Sequence, residues 1–269
     1  ARESADRFGD EHNVPKRYGS YEALLADPDV QAVYLAMLHP WHAEWAIKAA
    51  DAGKHILCEK PLTINWAEAL AVVEAARRNN VFLMEAFMYR CHPQTQKLVE
   101  LLKAKTIGDV RAIQATFSFQ SKFDPEARHI KNAKGGGGIM DLGCYCMSMA
   151  RLVAGADQGK DFTEPSEIKA VGHVGEISHS DEWTVAAVKF PGDIVAQLAC
   201  GVLANQGENA VRIFGTEGNI HLPTPWFPAR NGGAASIFVH RNGEEKPEEI
   251  VITADRELMV DFTTPYFNA

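Results

Sequence analysis

Two hydrophobic rhythms share this chain, and one gives way to the other near residue 90. Before that point, short apolar runs recur: Val30 to Ala36, Ile56-Leu57-Cys58, and Val81 to Ala86. Each is too short for a helix and lacks in–out alternation, as expected of strands buried in a parallel sheet. Before and between them lie helical patterns over residues 1–13, from the Ser20 cap to Leu25, over about 43–52, and over about 65–78. In the last of these, Asn65 with Glu68 three residues on reads as a capping pair. Strands and helices joined by short turns predict an α/β region with a parallel, doubly wound sheet and right-handed crossovers.

After residue 90 the period shortens to two. A helix is expected from Pro93 to about Lys105. From Val110 to Phe119, apolar Ile113, Ala115, Phe117 and Phe119 then alternate with mostly polar neighbours. Similar runs occupy 168–174, 184–190, 194–203, 211–214 and 237–240. Turn sequences such as Pro191-Gly192-Asp193, 216–219 and Asn242-Gly243 separate several of them, which predicts antiparallel hairpins. One helix, over about 138–153, interrupts. The fold class is therefore α/β plus α+β, with domains 1–90 and 91–269.

Composition narrows the functional classes. The 269 residues are 46% hydrophobic and 23% charged, an ordinary globular balance able to bury a substantial core. A net charge of −8 without a basic stripe argues against nucleic acid as a partner. No run approaches the ~20 apolar residues of a membrane span, and no signal-peptide pattern follows Ala1. The five cysteines (58, 91, 144, 146, 200) are odd in number and lie mostly in apolar surroundings. They read as reduced thiols of a cytoplasmic protein.

Chemistry concentrates at three places. The strand ending at Cys58 empties into Glu59-Lys60-Pro61, and in open α/β sheets ligands bind at the carboxyl ends of strands. A lysine leaving an apolar strand can be partly desolvated, have its pKa lowered, and move protons; a surface Glu–Lys pair is the plainer reading. His39-Pro40-Trp41-His42 follows the preceding strand. Its histidines have metal-ligand character, but no third ligand stands at a typical spacing, so a capping or ligand-facing loop is preferred and no metal is expected. Gly135 to Gly138 precedes a helix and reads either as a phosphate cradle or as a tight turn, and it lacks the Gly-Lys-Ser/Thr sequel of a P-loop. On that helix Asp141 and Tyr145 stand four apart, hence on one face. A phenol beside a lysine ammonium is a workable proton relay.

Together these stretches resemble a family. Gly19-Ser20-Tyr21-Glu22-Ala23-Leu24-Leu25, Ala52 to Leu62 with its Glu-Lys-Pro, Glu85 to Pro93, and Gly136-Gly137-Gly138-Ile139-Met140-Asp141-Leu142-Gly143-Cys144-Tyr145 carry the likeness. They are similar, in order from about residue 1 to 222, to the glucose–fructose oxidoreductase / inositol dehydrogenase / rhizopine catabolism (Gfo/Idh/MocA) family of NAD(P)-dependent oxidoreductases. Tyrosine rather than histidine at 145 looks most like the dimeric dihydrodiol dehydrogenase and xylose dehydrogenase branch. The resemblance implies a Rossmann domain followed by an α+β domain whose open, mostly antiparallel sheet makes a homodimer or higher homo-oligomer. It implies hydride transfer between NADP or NAD and a sugar or cyclic diol. Tyr145 would be the general acid/base and Lys60 would contact the reacting oxygen and the cofactor. Asp141 and Arg90 would lie in the substrate pocket. His39, His42, Glu59 and Pro61 would lie on the nicotinamide side.

The departures carry expectations too. The family's opening strand–Gly-x-Gly-x-x-Gly–helix–strand does not occur in the 269 residues, and Thr263 to Ala269, after the region near 255–258, do not look like the family's C-terminal helix. The resemblance thus points to a truncated Rossmann sheet and to weak NAD(P)H binding by this chain alone. The competing reading is a catalytically silent ligand-binding or assembly protein of the same fold. The trio Lys60, Asp141 and Tyr145 speaks for the enzyme, and the missing phosphate-binding turn for the alternative.

Overall fold

The computed structural model describes residues 2–229 and 233–253. The C-terminal stretches 255–258 and 263–269, compared above with the family's C-terminal helix, lie outside the described residues. The chain divides into two compact units, Ala1–Ala86 and Phe87–Ala269.

The first unit is built on three short parallel strands, β1 (Ala32–Leu35), β2 (His55–Cys58) and β3 (Leu83–Glu85), in that spatial order. Val33, Ile56 and Leu83 stand in register. Helices α1 (Arg2–Glu11) and α2 (Tyr21–Leu25) precede the sheet, and α3 (His42–Asp51) and α4 (Trp66–Arg78) provide the crossovers. Local chemistry sets the helix starts. The Ser20 hydroxyl accepts the Ala23 N–H at 3.1 Å, and the Asn65 side chain accepts the Glu68 N–H at 2.9 Å, each satisfying an N–H that a helix start leaves unpaired.

The core of this unit is thin. Leu35, Ile56 and Cys58 from the sheet meet Ala46, Ala49 and Ala50 of α3 and Val72 and Ala75 of α4. Small residues at the contact let α3 and α4 lie close against the strands. Burial on both sheet faces was expected; instead β1 and β2 alternate, and Tyr34 and Leu57, paired in register on the other face, are exposed. The physical reason is that α3 and α4 pack side by side and cover only one face.

The second unit opens with α5 (Pro93–Lys103) and β4 (Val110–Ser118). A π-helical turn, Ile139–Gly143, then runs into α6 (Cys144–Asp157). Strands β5 (Glu167–Val174), β6 (Asp181–Phe190), β7 (Ile194–Gly201), β8 (Val211–Gly215), β9 (Gly218–Leu222), β10 (Ala234–Arg241) and β11 (Glu248–Thr253) follow. They form one eight-stranded sheet, ordered β11-β10-β9-β8-β4-β7-β6-β5. All pairings are antiparallel except β4 with β7, where Ala112 to Ser118 run parallel to Val195 to Gly201. Thus β4 joins two meanders through the sheet centre. Strands β9 and β11 went unread in the sequence, because one begins inside a turn-like Gly218-Asn219 and the other begins with two glutamates at the sheet edge.

One face of this sheet is the core. Leu98 and Leu102 of α5, with Met149, Ala150 and Val153 of α6, pack on Ile113, Ala115, Ile194, Ile213, Ile220, Ile237 and Val239. The other face is open. Val171 of β5, Trp183 and Val185 of β6 and Val195 of β7 share it, and Val171 is 77% exposed.

Helix α5 begins at Pro93, whose missing N–H costs nothing at that position, and its cap is His92. The buried His92 Nδ1 accepts the Gln94 N–H at 3.1 Å, so only an imidazole unprotonated at Nδ1 can cap. Burial also lowers the His92 pKa. Because the folded value lies below the unfolded one, this stability is complete above the unfolded pKa. It is lost as pH falls from there toward the folded value. Thermal unfolding from about pH 7.5 to about pH 5 should show a Tm decline that is shallower in His92→Asn, which keeps a cap without a titrating ring. Cap loss is worth about 1 kcal/mol. Equal declines in the two proteins would refute the switchable cap.

Candidate active site

In the first unit the candidate residues gather where β1 and β2 end. These strands are parallel neighbours, with Leu35 opposite Cys58, so the loops leaving them start side by side. The first loop forms a 3₁₀ turn over His39–Trp41, and the second carries Glu59-Lys60-Pro61, with a cis peptide before Pro61. Fully buried His42 ties them together. Its Nε2 lies 2.9 Å from the Met37 carbonyl oxygen and its Nδ1 lies 2.9 Å from that of Pro61. His39 is also buried, its ring edge-on to His42 at 5.6 Å between centroids. The histidine pair therefore builds the loop. Among the described residues, no three His, Cys, Asp or Glu side chains are grouped to hold a metal ion.

Glu59 continues the sheet pattern through its N–H, which donates to the Leu35 carbonyl at 2.9 Å, and its carboxylate accepts from the Tyr34 hydroxyl and, at 3.2 Å, from the Lys60 N–H. Partial desolvation of its hydroxyl, and the hydrogen bond to Glu59, raise the Tyr34 pKa although the residue is largely exposed. Glu85, at the end of β3, accepts the Leu62 N–H at 2.8 Å. The Cys58 thiol is pushed up to about 12 by burial and by the charges of Glu85 and Glu59, which keeps it protonated and unreactive. Lys60 is half-buried where these loops meet.

In the second unit, Tyr145 stands in the first turn of α6 and is 4% exposed. Its ring is edge-on to Phe87 at 5.2 Å and to Phe117 at 5.3 Å, with Tyr89 and Trp226 each at 6.0 Å. Its hydroxyl donates to the Met88 sulfur at 3.2 Å, a weak acceptor. Trp226 is itself pinned by its indole N–H to the Thr116 carbonyl at 2.8 Å. Asp141 is buried, and the Arg128 guanidinium approaches its carboxylate at 3.6 Å. His129, bonded to Ser121 Oγ at 3.1 Å, has its pKa lowered by burial, while the charge of Asp141 opposes that shift.

The α-helical spacing argument for Asp141 and Tyr145 needs correcting. The Cys144 N–H reaches back five residues to the Ile139 carbonyl, so Asp141 sits in a wider π turn and only Tyr145 belongs to regular α-helix. Turns of this kind often mark functional sites.

The glycine run also resolves. The place an anion would take at the helix start is filled by the chain's own carboxylate: Asp181 Oδ2 accepts the Ile139 N–H at 2.7 Å. Gly137, at φ +120°, passes so close that a Cβ there would sit 2.3 Å from Asp181 Oδ1. Burial raises the Asp181 pKa, while the backbone N–H bonds work against the shift. The run is a tight turn, and the phosphate reading of it falls. Arg90, which the resemblance puts at the substrate pocket, has its guanidinium 4.2 Å over the Phe162 ring.

Sequence reading missed Met88, Arg128, Trp226 and Asp181. Met88 lay within a quoted run but reads as core. The other three come from loops or a strand start far along the chain, and no local pattern marks them.

Residues 1–87 match the model of an oxidoreductase family with an NAD-binding Rossmann fold, and residues 95–221 match the GFO/IDH/MocA C-terminal domain. Trans-1,2-dihydrobenzene-1,2-diol dehydrogenase of Xenopus tropicalis is 36% identical over 249 residues, covering 92% of this chain and 70% of the relative. The Mus musculus protein of that name is 37% identical over 224 residues, covering 83% of this chain and 64% of the relative. Among solved structures, a 3-ketoreductase from Actinomadura kijaniata in complex with NADP and TDP-benzene matches with a TM-score of 0.82 and 28% identity. That match covers 96% of this chain and 75% of the other.

Proposed function

The chain belongs to the GFO/IDH/MocA family of oxidoreductases with an NAD-binding Rossmann fold, and from that membership we propose that it serves hydride transfer at a CH–OH carbon of a sugar or cyclic diol. The relatives named for a dihydrodiol and the 3-ketoreductase bound to NADP support this substrate class and the choice of NADP or NAD. The strand ends fit the nicotinamide side of such a cofactor. They are the carboxyl ends of adjacent parallel strands, held together by His42. When bound, the cofactor accepts a hydride from the carbinol carbon or delivers one to the carbonyl carbon.

The chain's own residues handle the proton and the position. Tyr145 gives its hydroxyl proton to the carbonyl oxygen in reduction, or takes it from the alcohol in oxidation. The Lys60 ammonium hydrogen-bonds the reacting oxygen and favours the phenolate that Tyr145 becomes. Asp141, held by Arg128, orients the substrate's hydroxyl groups. His39, Glu59 and Pro61 shape the cofactor side of the loop. The observation that carries this reading is the buried phenol of Tyr145. Aromatic rings fix it on several sides, its hydroxyl bonds to a soft sulfur, and a carboxylate lies within a helical turn. A core with no chemical task gains nothing from burying Asp141 beside it.

With cofactor saturating, Lys60→Met and Tyr145→Phe should each lower kcat for diol oxidation or keto-sugar reduction by about 100-fold or more. An unchanged kcat in either variant would overturn the role of that residue.

We propose further that this is a cytoplasmic protein, in keeping with its five reduced thiols, and a homodimer through the open sheet face. Val171 and Val185 are exposed there as register partners and exposed Val195 shares the face, and the assembly reading of the fold draws on the same patch. Among the described residues no helix is long and apolar enough to cross a membrane. Light scattering on the eluting peak should give a dimer, and Val171→Asp with Val185→Asp a monomer. A dimer that survives both substitutions would place the interface elsewhere.

A further inference from the structure

A groove in the second unit takes no part in the reaction proposed above. It lies between α5, α6 and the loop after α6, and it measures about 440 Å³, within the range of small-molecule sites. Arg90, Val99, Lys103, Leu152, Lys160 and Phe162 are among the residues that line it. Leu152 is seven residues beyond Tyr145 on α6, about 10 Å further along the helix axis.

Three properties of the groove converge. Its lining carries three cations, Arg90, Lys103 and Lys160, against one carboxylate, Asp161, in a protein whose net charge is −8. Its floor is apolar, from Val99, Leu152 and the Phe162 ring. That ring is also held in place by charge, with the Arg90 guanidinium 4.2 Å from its centroid and that of Arg151 at 5.5 Å. Arg151 is neutralised by the Glu164 carboxylate. The Arg90 Nε, like that of Arg151, is buried and has no hydrogen-bond partner among the described residues, and the Arg90 guanidinium faces the Tyr89 phenol rather than a carboxylate. A buried guanidinium N–H without an acceptor is costly, and a bidentate oxyanion is its best-matched partner.

We propose that this groove is a second small-molecule site, which binds a small organic carboxylate carrying an aromatic or alkyl body. The carboxylate meets Arg90, with Lys103 and Lys160 at the rim, and the body lies on Phe162, Leu152 and Val99. Neither the apolar floor nor the cations suffice alone. A neutral ligand leaves Arg90 unanswered, and a bare inorganic anion leaves the floor wet.

Backbone-amide NMR titration of the full chain with sodium benzoate tests this, with benzyl alcohol as the neutral analogue and inorganic phosphate as the bare anion. Benzoate should give saturable shifts at Val99, Leu152 and Phe162, and bind about tenfold or more tighter than either comparison ligand. The exposed pair Lys103→Glu and Lys160→Glu should weaken benzoate by about tenfold and leave benzyl alcohol unchanged. The proposal is overturned by any of four results. These are no saturable shift in the groove, equal binding of benzoate and benzyl alcohol, phosphate binding as tightly as benzoate, or lysine reversals without effect. None of these readouts depends on turnover, so the site can fail while the hydride-transfer reading stands.

Discussion

The carboxylate of Asp181 holds the start of the helix that carries Tyr145. A peptide entering a helix presents unpaired N–H groups and the positive end of the helix dipole. Here a side chain from the start of β6 answers both, through the Ile139 N–H and the close pass of Gly137. Only glycine tolerates that approach, because a Cβ at 137 would collide with the carboxylate. The π turn that follows widens the helix at Asp141 and hands over to regular α-helix in time to set Tyr145 among Phe87, Phe117 and Trp226. The four glycines that look like a phosphate cradle are thus the turn from which Tyr145 is aimed.

His42 does the corresponding work in the first unit. Parallel strands end in loops with no hydrogen-bond ladder to hold them, and one imidazole between the Met37 and Pro61 carbonyls substitutes for it. The loop bearing Lys60 is thereby tied to the loop bearing His39. Glu59 adds a second tie through Tyr34 and through its own N–H to Leu35. The charged residues that looked like ligands in the sequence are in part the scaffold that positions a lysine.

Local chemistry was legible in the sequence; long-range chemistry was not. The strand–helix alternation before residue 90, the caps Ser20 and Asn65, and the period-two runs after Val110 each depend on neighbours within a few residues, and the structure has these elements in those places. The parallel pairing of β4 with β7 joins residues about eighty positions apart, and nothing in either strand announces it. Asp181 meets the glycine run from some forty residues on, and Trp226 meets Tyr145 from eighty-one. The i, i+4 relation of Asp141 and Tyr145 assumed a helix of constant pitch, and one five-residue hydrogen bond alters it. Arg90 sat inside the family-like run, but its contact with Phe162, seventy-two residues on, is another that no local pattern announces.

The central claim is that Lys60 and Tyr145 act on one reacting oxygen. A crystal structure of the protein with NADP and a cyclic trans-diol tests it most directly. The account predicts the Lys60 Nζ and the Tyr145 hydroxyl both at about 2.6–3.2 Å from the same diol oxygen, with the phenol drawn off the Met88 sulfur. A bound diol whose oxygens leave either group beyond hydrogen-bond reach, with Tyr145 still on Met88, would contradict it.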